Sequence, residues 1–472
     1  MTMNYAPGVY VEEISLFPPS VAEVATAIPA FIGYTEKSPD GYDPANPTPI
    51  RVMNMIEYET YFGGPAPVAF AATADTGGVS ITAAPDPDYL LYPSLQMYFN
   101  NGGGPCWIVS VGDYTVASKV PLDFTNGINC LEEEDEPTLI VLADATNLPF
   151  SEDTDTPPLG DVASDYYTCC QTALAQCGDL KDRFTIVDVV QSHPGVSVTN
   201  TRIDLDVAAA RKYIGTVSLN FGAAYYPYLR TSIPYPYKES GPDAVQVTIP
   251  AGPVDMGDTA FKDEMADSYN ALKLMLAGYR YTLPPSGAMA GIYARVDRTR
   301  GVWKAPANEG VMSVFGPNIK ITEKKQDELN VHTSGKSIDA IRAFIGKGTL
   351  VWGARTLAGN DNEWRYISVR RLFNMIEESV QESTEWAVFE ANDAMTWLKV
   401  KTMIESYLEG LWRRGALAGP TKESAFFVNV GLGTTMTPQD ILEGRMIVEI
   451  GIAAVRPAEF ILLKFSHKMQ EA

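Results

Sequence analysis

The chain has 472 residues, of which 46% are hydrophobic and 20% charged, enough length and apolar content to bury a sizeable core without covalent staples. Its 58 Asp and Glu against 36 Lys and Arg give a net charge of -22, and the excess is local: residues 1–290 carry 36 acidic and 13 basic side chains, residues 291–472 carry 22 and 23. A protein built to grip nucleic acid or an anionic membrane needs an extensive surface of the opposite sign, which disfavours both classes.

The opening residues Met1 to Pro7 lack the basic and apolar regions of a secretory signal, and no run of about 18 apolar residues is present to span a bilayer. The expectation is a chain assembled in the cytoplasm with its five cysteines reduced, since they are odd in number and form no Cys-x-x-Cys pair. Val9, Tyr10 and Val11 are strand formers with Pro18-Pro19 behind them and no partner strand nearby, so residues 1–22 read as an extended arm.

From Ala27 the pattern becomes α/β. A short apolar strand over Ile28 to Tyr34 is followed by a helix over Met55 to Phe62, and residues 65–88, rich in Ala, Thr, Gly, Pro and Asp, read as a surface loop. A helix through Tyr92, Leu95 and Phe99 stops at Asn100 to Gly104, and Cys106 to Val111 is a buried-type strand. Strands at Thr138 to Ala143 and Phe184 to Val190 alternate with helices near Asp161 to Cys177 and Leu205 to Ile214. Such alternation demands crossovers and a mainly parallel sheet.

A Pro- and Tyr-rich stretch, 225–253, reads as an insertion carrying one strand, Ala244 to Ile249. A helix over Phe261 to Tyr279 and a strand over Ala290 to Val296 follow. Helices are expected at Ile338 to Ile345, Val369 to Ser383 and Asp393 to Arg414. The last has a capping Asn392 or Asp393, an apolar stripe through Trp397, Val400, Ile404, Leu408 and Leu411, and Gly415 as its stop. After a strand at Phe426 to Val430, two more at Met446 to Ala453 and Glu459 to Phe465 predict a terminal hairpin whose apolar faces need a cover.

Chemistry is thinly represented. Only His193, His332 and His467 exist, far apart, and neither Cys nor His falls at zinc-ligand spacing, so no catalytic residue, metal or cofactor is assigned. Gly335-Lys336-Ser337 before the expected helix is the nearest phosphate motif, but Asn330 stands where a P-loop needs glycine. The acidic run Glu132 to Glu136 lacks the alternating geometry of a calcium loop and reads as solvated. A nucleotide-dependent α/β enzyme stays as a remote alternative, resting on Lys336.

Residues spread along the chain resemble contractile tail sheath proteins, the family of phage tails, R-type pyocins and extracellular contractile injection systems. The resemblance is carried by Pro7-Gly8-Val9-Tyr10-Val11-Glu12-Glu13, by Thr26 to Gly33, and by Phe99 to Gly103 with Cys106 to Val109. Gly301 to Asn308, Trp364 to Arg371, Phe389 to Asp393, Gly415 to Leu417 and Arg456 to Ile461 continue it, with Ala391 and Ala454 where proline is expected and Ser368 in place of a common asparagine.

This likeness implies an arm over 1–22, an outer α/β domain over 23–305 with its insertion at about 225–255, an inner core over 306–445 and a C-terminal arm or hairpin over 446–472. It also implies inter-subunit strand exchange through Val9, Tyr10, Val11, Ile447, Val448, Ile450, Phe460, Ile461, Leu462 and Leu463. Lys399, Lys401, Arg413 and Arg414 are the residues assigned to an inner-tube contact. The implied partners are further copies in stacked rings, hexameric in that family, with an inner tube protein, baseplate and terminal cap proteins, and room for a paralogous sheath protein. No nucleic acid and no membrane insertion are implied. The run Glu13 to Ala22 favours injection systems, with a contractile-tailed phage as the alternative owner.

Overall fold

A computed structural model describes residues 20–39, 41–75, 78–83, 85–116, 118–153, 161–191 and 200–460. Contacts divide the chain into two compact units, one made of 25–375 with 456–472, the other of 1–24 with 376–455.

The larger unit is organised by an eight-stranded sheet in the order Gly348–Val351, Ile338–Phe344, Gly222–Tyr226, Phe184–Asp188, Leu139–Val141, Pro29–Thr35, Cys106–Asp113, Ile50–Val52. The inner six run parallel and the two outermost antiparallel. Parallel strands are joined by crossovers that bury both faces, which is why Pro29–Thr35 is buried along its whole length. Ala30, Ile32 and Tyr34 face a layer containing Phe124, Tyr166, Leu174 and Val207, while Phe31 faces Leu95, Tyr98, Met289 and Tyr293.

Helices at Met55–Phe62, Leu91–Asn100, Ser164–Leu180 and Asn200–Tyr213 and the strands between them lie where the periodicity places them. Several segments do not. The stretch 225–253, expected to carry one strand, holds Leu229–Pro234 and the start of Gly252–Asp255 besides Gln246–Ile249. Residues 290–296, expected as a strand, belong to the helix Ser286–Arg300. Its Gly287 and Gly291, one turn apart, sit so close to the backbone of helix Leu91–Asn100 that an added Cβ would come within 2.6 Å of the Ser94 carbonyl oxygen and 2.4 Å of that of Tyr98. An apolar run with small residues can satisfy either period, and here close helix packing decided it.

Residues 338–344, expected as a helix, form a strand that pairs in parallel with Gly222–Tyr226 and antiparallel with Gly348–Val351. Finally, 65–88 is more than a loop: Ala71–Asp75 and Gly78–Ala83 form a four-stranded sheet with Gln246–Ile249 and Gly252–Asp255. Phe70, Val247, Phe261 and Leu272 fill a separate small core beneath it, and the helix expected over 261–279 is broken into Thr259–Lys262 and Ala266–Leu276.

The smaller unit contains the long helix Ala394–Arg413 and the antiparallel strands Phe426–Val430 and Val448–Ile452. The expected terminal hairpin is therefore a different one: Val448–Ile452 pairs with the strand before it, Val448 opposite Val430 and Ile450 opposite Val428. Residues 456–460 form no strand, and the rest of the expected second strand lies outside the described residues.

Candidate assembly surface

Several groups that could carry chemistry are tied into the fold of the larger unit, while His193 and His467 lie outside the described residues. Cys106, Cys169, Cys170 and Cys177 are buried, and burial pushes the thiols of Cys169 and Cys177 up to about 12, which removes thiolate at neutral pH. Gly335-Lys336-Ser337 leads into a strand. The Lys336 ammonium donates at 2.5 Å to the carbonyl of Arg211 in the last turn of helix Asn200–Tyr213, and the Arg211 guanidinium donates back to the Lys336 carbonyl at 3.1 Å. The lysine is thus a helix C-terminal cap. Glu136, from the acidic run, accepts from Arg51 at 2.7 Å and from the Trp107 indole at 2.8 Å.

Open parallel sheets bind ligands where the strand order reverses, here between Pro29–Thr35 and Leu139–Val141. That crevice is filled from within. Asp144, fully buried just past Leu139–Val141, accepts from the backbone N–H groups of Tyr34 at 2.8 Å, of Leu91 at 2.9 Å and of Leu90. It caps the N-terminal end of helix Leu91–Asn100, the position a ligand phosphate takes in nucleotide-binding proteins of doubly wound topology. Burial raises its carboxyl pKa, against Lys119 and the three backbone donors, which lower it. Among the described residues no group of three or more His, Cys, Asp or Glu is placed to hold a metal ion.

The smaller unit is built differently. Asp393 accepts from the N–H groups of Met395 and Thr396 at 3.0 Å each and starts the helix Ala394–Arg413, and those two bonds hold its carboxyl below the usual range. Val400, Met403, Ile404, Leu408 and Leu411 form the buried stripe, at the spacing that the sequence announces, and Trp397 is half-buried beside it. Val428 and Ala425 are buried too. Opposite them, the Phe427 ring crosses Gly451 so tightly that a Cβ there would lie 2.1 Å from it, covering the stretch of strand the glycine leaves bare.

Beyond the ladder from Phe426 to Val430, neither outer edge of this two-stranded sheet has a partner strand among the described residues, apart from a bridge of Leu417 to Ala454 past its end. Large apolar side chains are also left outside. Phe389 is fully exposed and its backbone sits in the left-handed region at φ 67, an uncommon arrangement for a bulky residue. Val388, Met395, Leu398, Phe427 and Leu442 are exposed as well.

The assigned residues fall as follows. Val9, Tyr10, Val11, Ile461, Leu462 and Leu463 lie outside the described residues. Ile447 is exposed just before the strand holding Val448 and Ile450, and Phe460 is exposed where the larger unit's described residues end. Lys399 is exposed. Lys401 lies 3.8 Å from Glu405, Arg413 pairs with Glu409, and Arg414 pairs with Glu23 at 2.5 Å. That last pair, with the Ala22 and Val24 N–H groups donating at 3.1 Å to Ser383 and Ser379, fastens residues 22–24. Sequence reasoning overlooked this fastening, whose partners are hundreds of residues apart; the block Phe389 to Asp393 was noticed, but nothing in it signalled exposure.

Comparison with known proteins agrees with this architecture. Residues 359–468 match the phage tail sheath C-terminal domain. Curated relatives are the tail sheath proteins of Enterobacteria phage T4, 28% identical over 187 residues, and of Vibrio phage KVP40, 23% identical over 185; each match takes in 39% of this chain. It spans about a quarter of the length of those relatives, 27% and 26%. The solved sheath complex of PVC, an extracellular contractile injection system, in the contracted state superposes with TM-score 0.65 at 30% identity over 99% of both chains. The contracted helical sheath of the anti-feeding prophage gives 0.63 at 29% identity over 99% of this chain and all of that one. The chain belongs to the contractile tail sheath family.

Proposed function

We propose that this chain is the structural subunit of a contractile sheath that polymerises around an inner tube and shortens to drive that tube through a target envelope, in a particle of the extracellular injection type. The unfinished sheet of the smaller unit carries the reading. Two strands alone are marginal in water, and free edges invite a strand from a neighbour. The arm residues Val9, Tyr10 and Val11 of another copy suit one edge, and Val448 and Ile450, with Ile447 just before them, mark where a strand already runs; Phe460 to Leu463 would supply a further one. At a net worth of about 1 kcal/mol per main-chain hydrogen bond, a few bonds per arm, repeated around each ring, hold subunits together while their bodies move.

In this reading Lys399 and Lys401 face the tube, and the acidic excess carried before residue 290 keeps a large polymer soluble. Likeness over the whole chain to injection-system sheaths, against likeness to phage sheaths over 39% of it, favours the first kind of particle. A baseplate structure of the anti-feeding prophage contains a chain similar to this one at TM-score 0.64, which supports a baseplate partner. The work is stored in the arrangement of subunits, so no nucleotide is required at firing.

Electron microscopy of the chain expressed with its neighbouring genes tests this. Hollow tubes that disappear when residues 1–22 are deleted are the expected result. A monodisperse monomer under every condition would sink it.

A further inference from the structure

The chain passes between its two units three times, at Val24 to Ala25, Met375 to Ile376 and Val455 to Arg456. On the side of the larger unit, each exit meets an arginine buried against a carboxylate. Arg371, four residues before the second exit, donates to the two Asp297 carboxylate oxygens at 3.1 and 2.5 Å, with both side chains under a tenth exposed. The same guanidinium donates at 2.5 Å to the carbonyl of Thr26, just past the first exit, and the Thr26 hydroxyl donates at 2.7 Å to Asp297. One ion pair therefore ties two exits to helix Ser286–Arg300. The guanidinium also lies 4.6 Å over the Tyr293 ring, whose hydroxyl meets that of Tyr225 on the main sheet at 2.7 Å.

At the third exit, Arg355 holds Glu459 through Nε at 2.9 Å and Nη2 at 2.6 Å, while Asn330 donates to the same carboxylate at 2.6 Å and the Tyr366 hydroxyl at 3.2 Å. The Arg355 backbone N–H is itself bound at 2.9 Å to Asp339, on the main-sheet strand Ile338–Phe344.

We propose that Arg371–Asp297 and Arg355–Glu459 are anchor points that fix all three exits to the eight-stranded sheet, so that a pull on the segments beyond them reaches the sheet instead of peeling the exits away. The inference rests on the reading of this chain as a sheath subunit, because only such a subunit is pulled through those segments. Buried ion pairs add little to stability over apolar substitutes of similar volume, so their use here is geometric. Bidentate guanidinium–carboxylate contacts fix direction and register at once. Glu459 lies in one family-like block and Tyr366 and Arg371 in another, and the fold brings each to an exit.

Amide hydrogen exchange of the full-length unassembled chain, read by mass spectrometry, separates the two anchors. Glu459→Gln should speed exchange of residues 456–460 at least tenfold and leave 25–28 unchanged; Asp297→Asn should do the reverse. Equal acceleration at both exits, or none, overturns the inference. Should a single variant fail to fold, the apolar pair Arg355→Leu with Glu459→Leu restores the thermal midpoint but leaves exchange at 456–460 fast; a return to the original rate overturns it. Sheaths of Glu459→Gln should assemble and then fragment on contraction, and intact contracted sheaths would deny the mechanical role. If the unaltered chain forms no sheath at all, it is the proposed function that fails, and the exchange pattern still judges the anchors.

Discussion

The two units of this chain spend their apolar residues in opposite ways. In the larger one, both faces of the eight-stranded sheet are covered, and even the ligand crevice of the topology is filled by Asp144. In the smaller one, the long helix and two strands share a thin core, and among the described residues eight large apolar side chains in 376–455 are exposed, against fourteen in 25–375, a stretch about four times as long. A body that satisfies itself gains nothing from neighbours. On the reading proposed above, the smaller unit, with its open strand edges and its exposed, strained Phe389, is the part that neighbours complete, and the larger is the rigid body.

The contrast can be broken most forcefully at Leu408. It is fully buried in the thin core, and Leu408→Ala should cost about 2–5 kcal/mol. Calorimetry should show the smaller unit melting earlier while the larger keeps its transition; a single unshifted transition would mean that the units do not differ in this way.

Asp188 sharpens the other side. Its carboxylate accepts from the Ser286 N–H at 2.8 Å, and burial raises its pKa from 3.8 to about 7, against the bonds from Ser286. The folded state thus binds the proton more tightly than the unfolded chain, so the stabilisation is complete below about pH 4 and is lost as pH rises towards 7. Asp188→Asn keeps an acceptor for Ser286 and removes the charge. Its denaturation midpoints should fall less with rising pH across that window than those of the original chain, and identical slopes would refute the assignment.

Phe389→Gly should relieve a left-handed backbone worth about 1 kcal/mol and so leave the monomer at least as stable, while sheath yield drops. Unchanged sheath yield would remove Phe389 from the interface. The smallest effect on the folded monomer is expected from Lys399→Glu with Lys401→Glu, since exposed charges contribute about 0–1 kcal/mol. Yet sheaths of that double variant should form without enclosing the tube, and normally filled particles would clear both lysines of the contact.

Much of this was legible beforehand because local patterns carry it. The alternation from Ala27 onward, the glycine stop after Phe99, and the cap, stripe and stop of helix Ala394–Arg413 are short-range signals that each segment reads by itself. The candidate surface was legible only in part. Lys399 and Lys401 were placed on a helix by spacing, but the pairing of Arg414 with Glu23 spans 391 residues and no local pattern reports it.

The sequence alone determined the class of fold, the parallel sheet, the long capped helix and the family likeness, because periodicity, capping and ordered motif blocks act within a few residues of each other. Tertiary structure decided the remainder. Gly287 and Gly291 made a helix of an apolar run by letting another helix approach. Pairing with Gly222–Tyr226 made a strand of 338–344, although its pattern suits a helix. A strand at 246–249 drew a supposed loop into a sheet by placing Val247 beside Ala72. In each case contacts with residues distant in sequence overrode the local pattern.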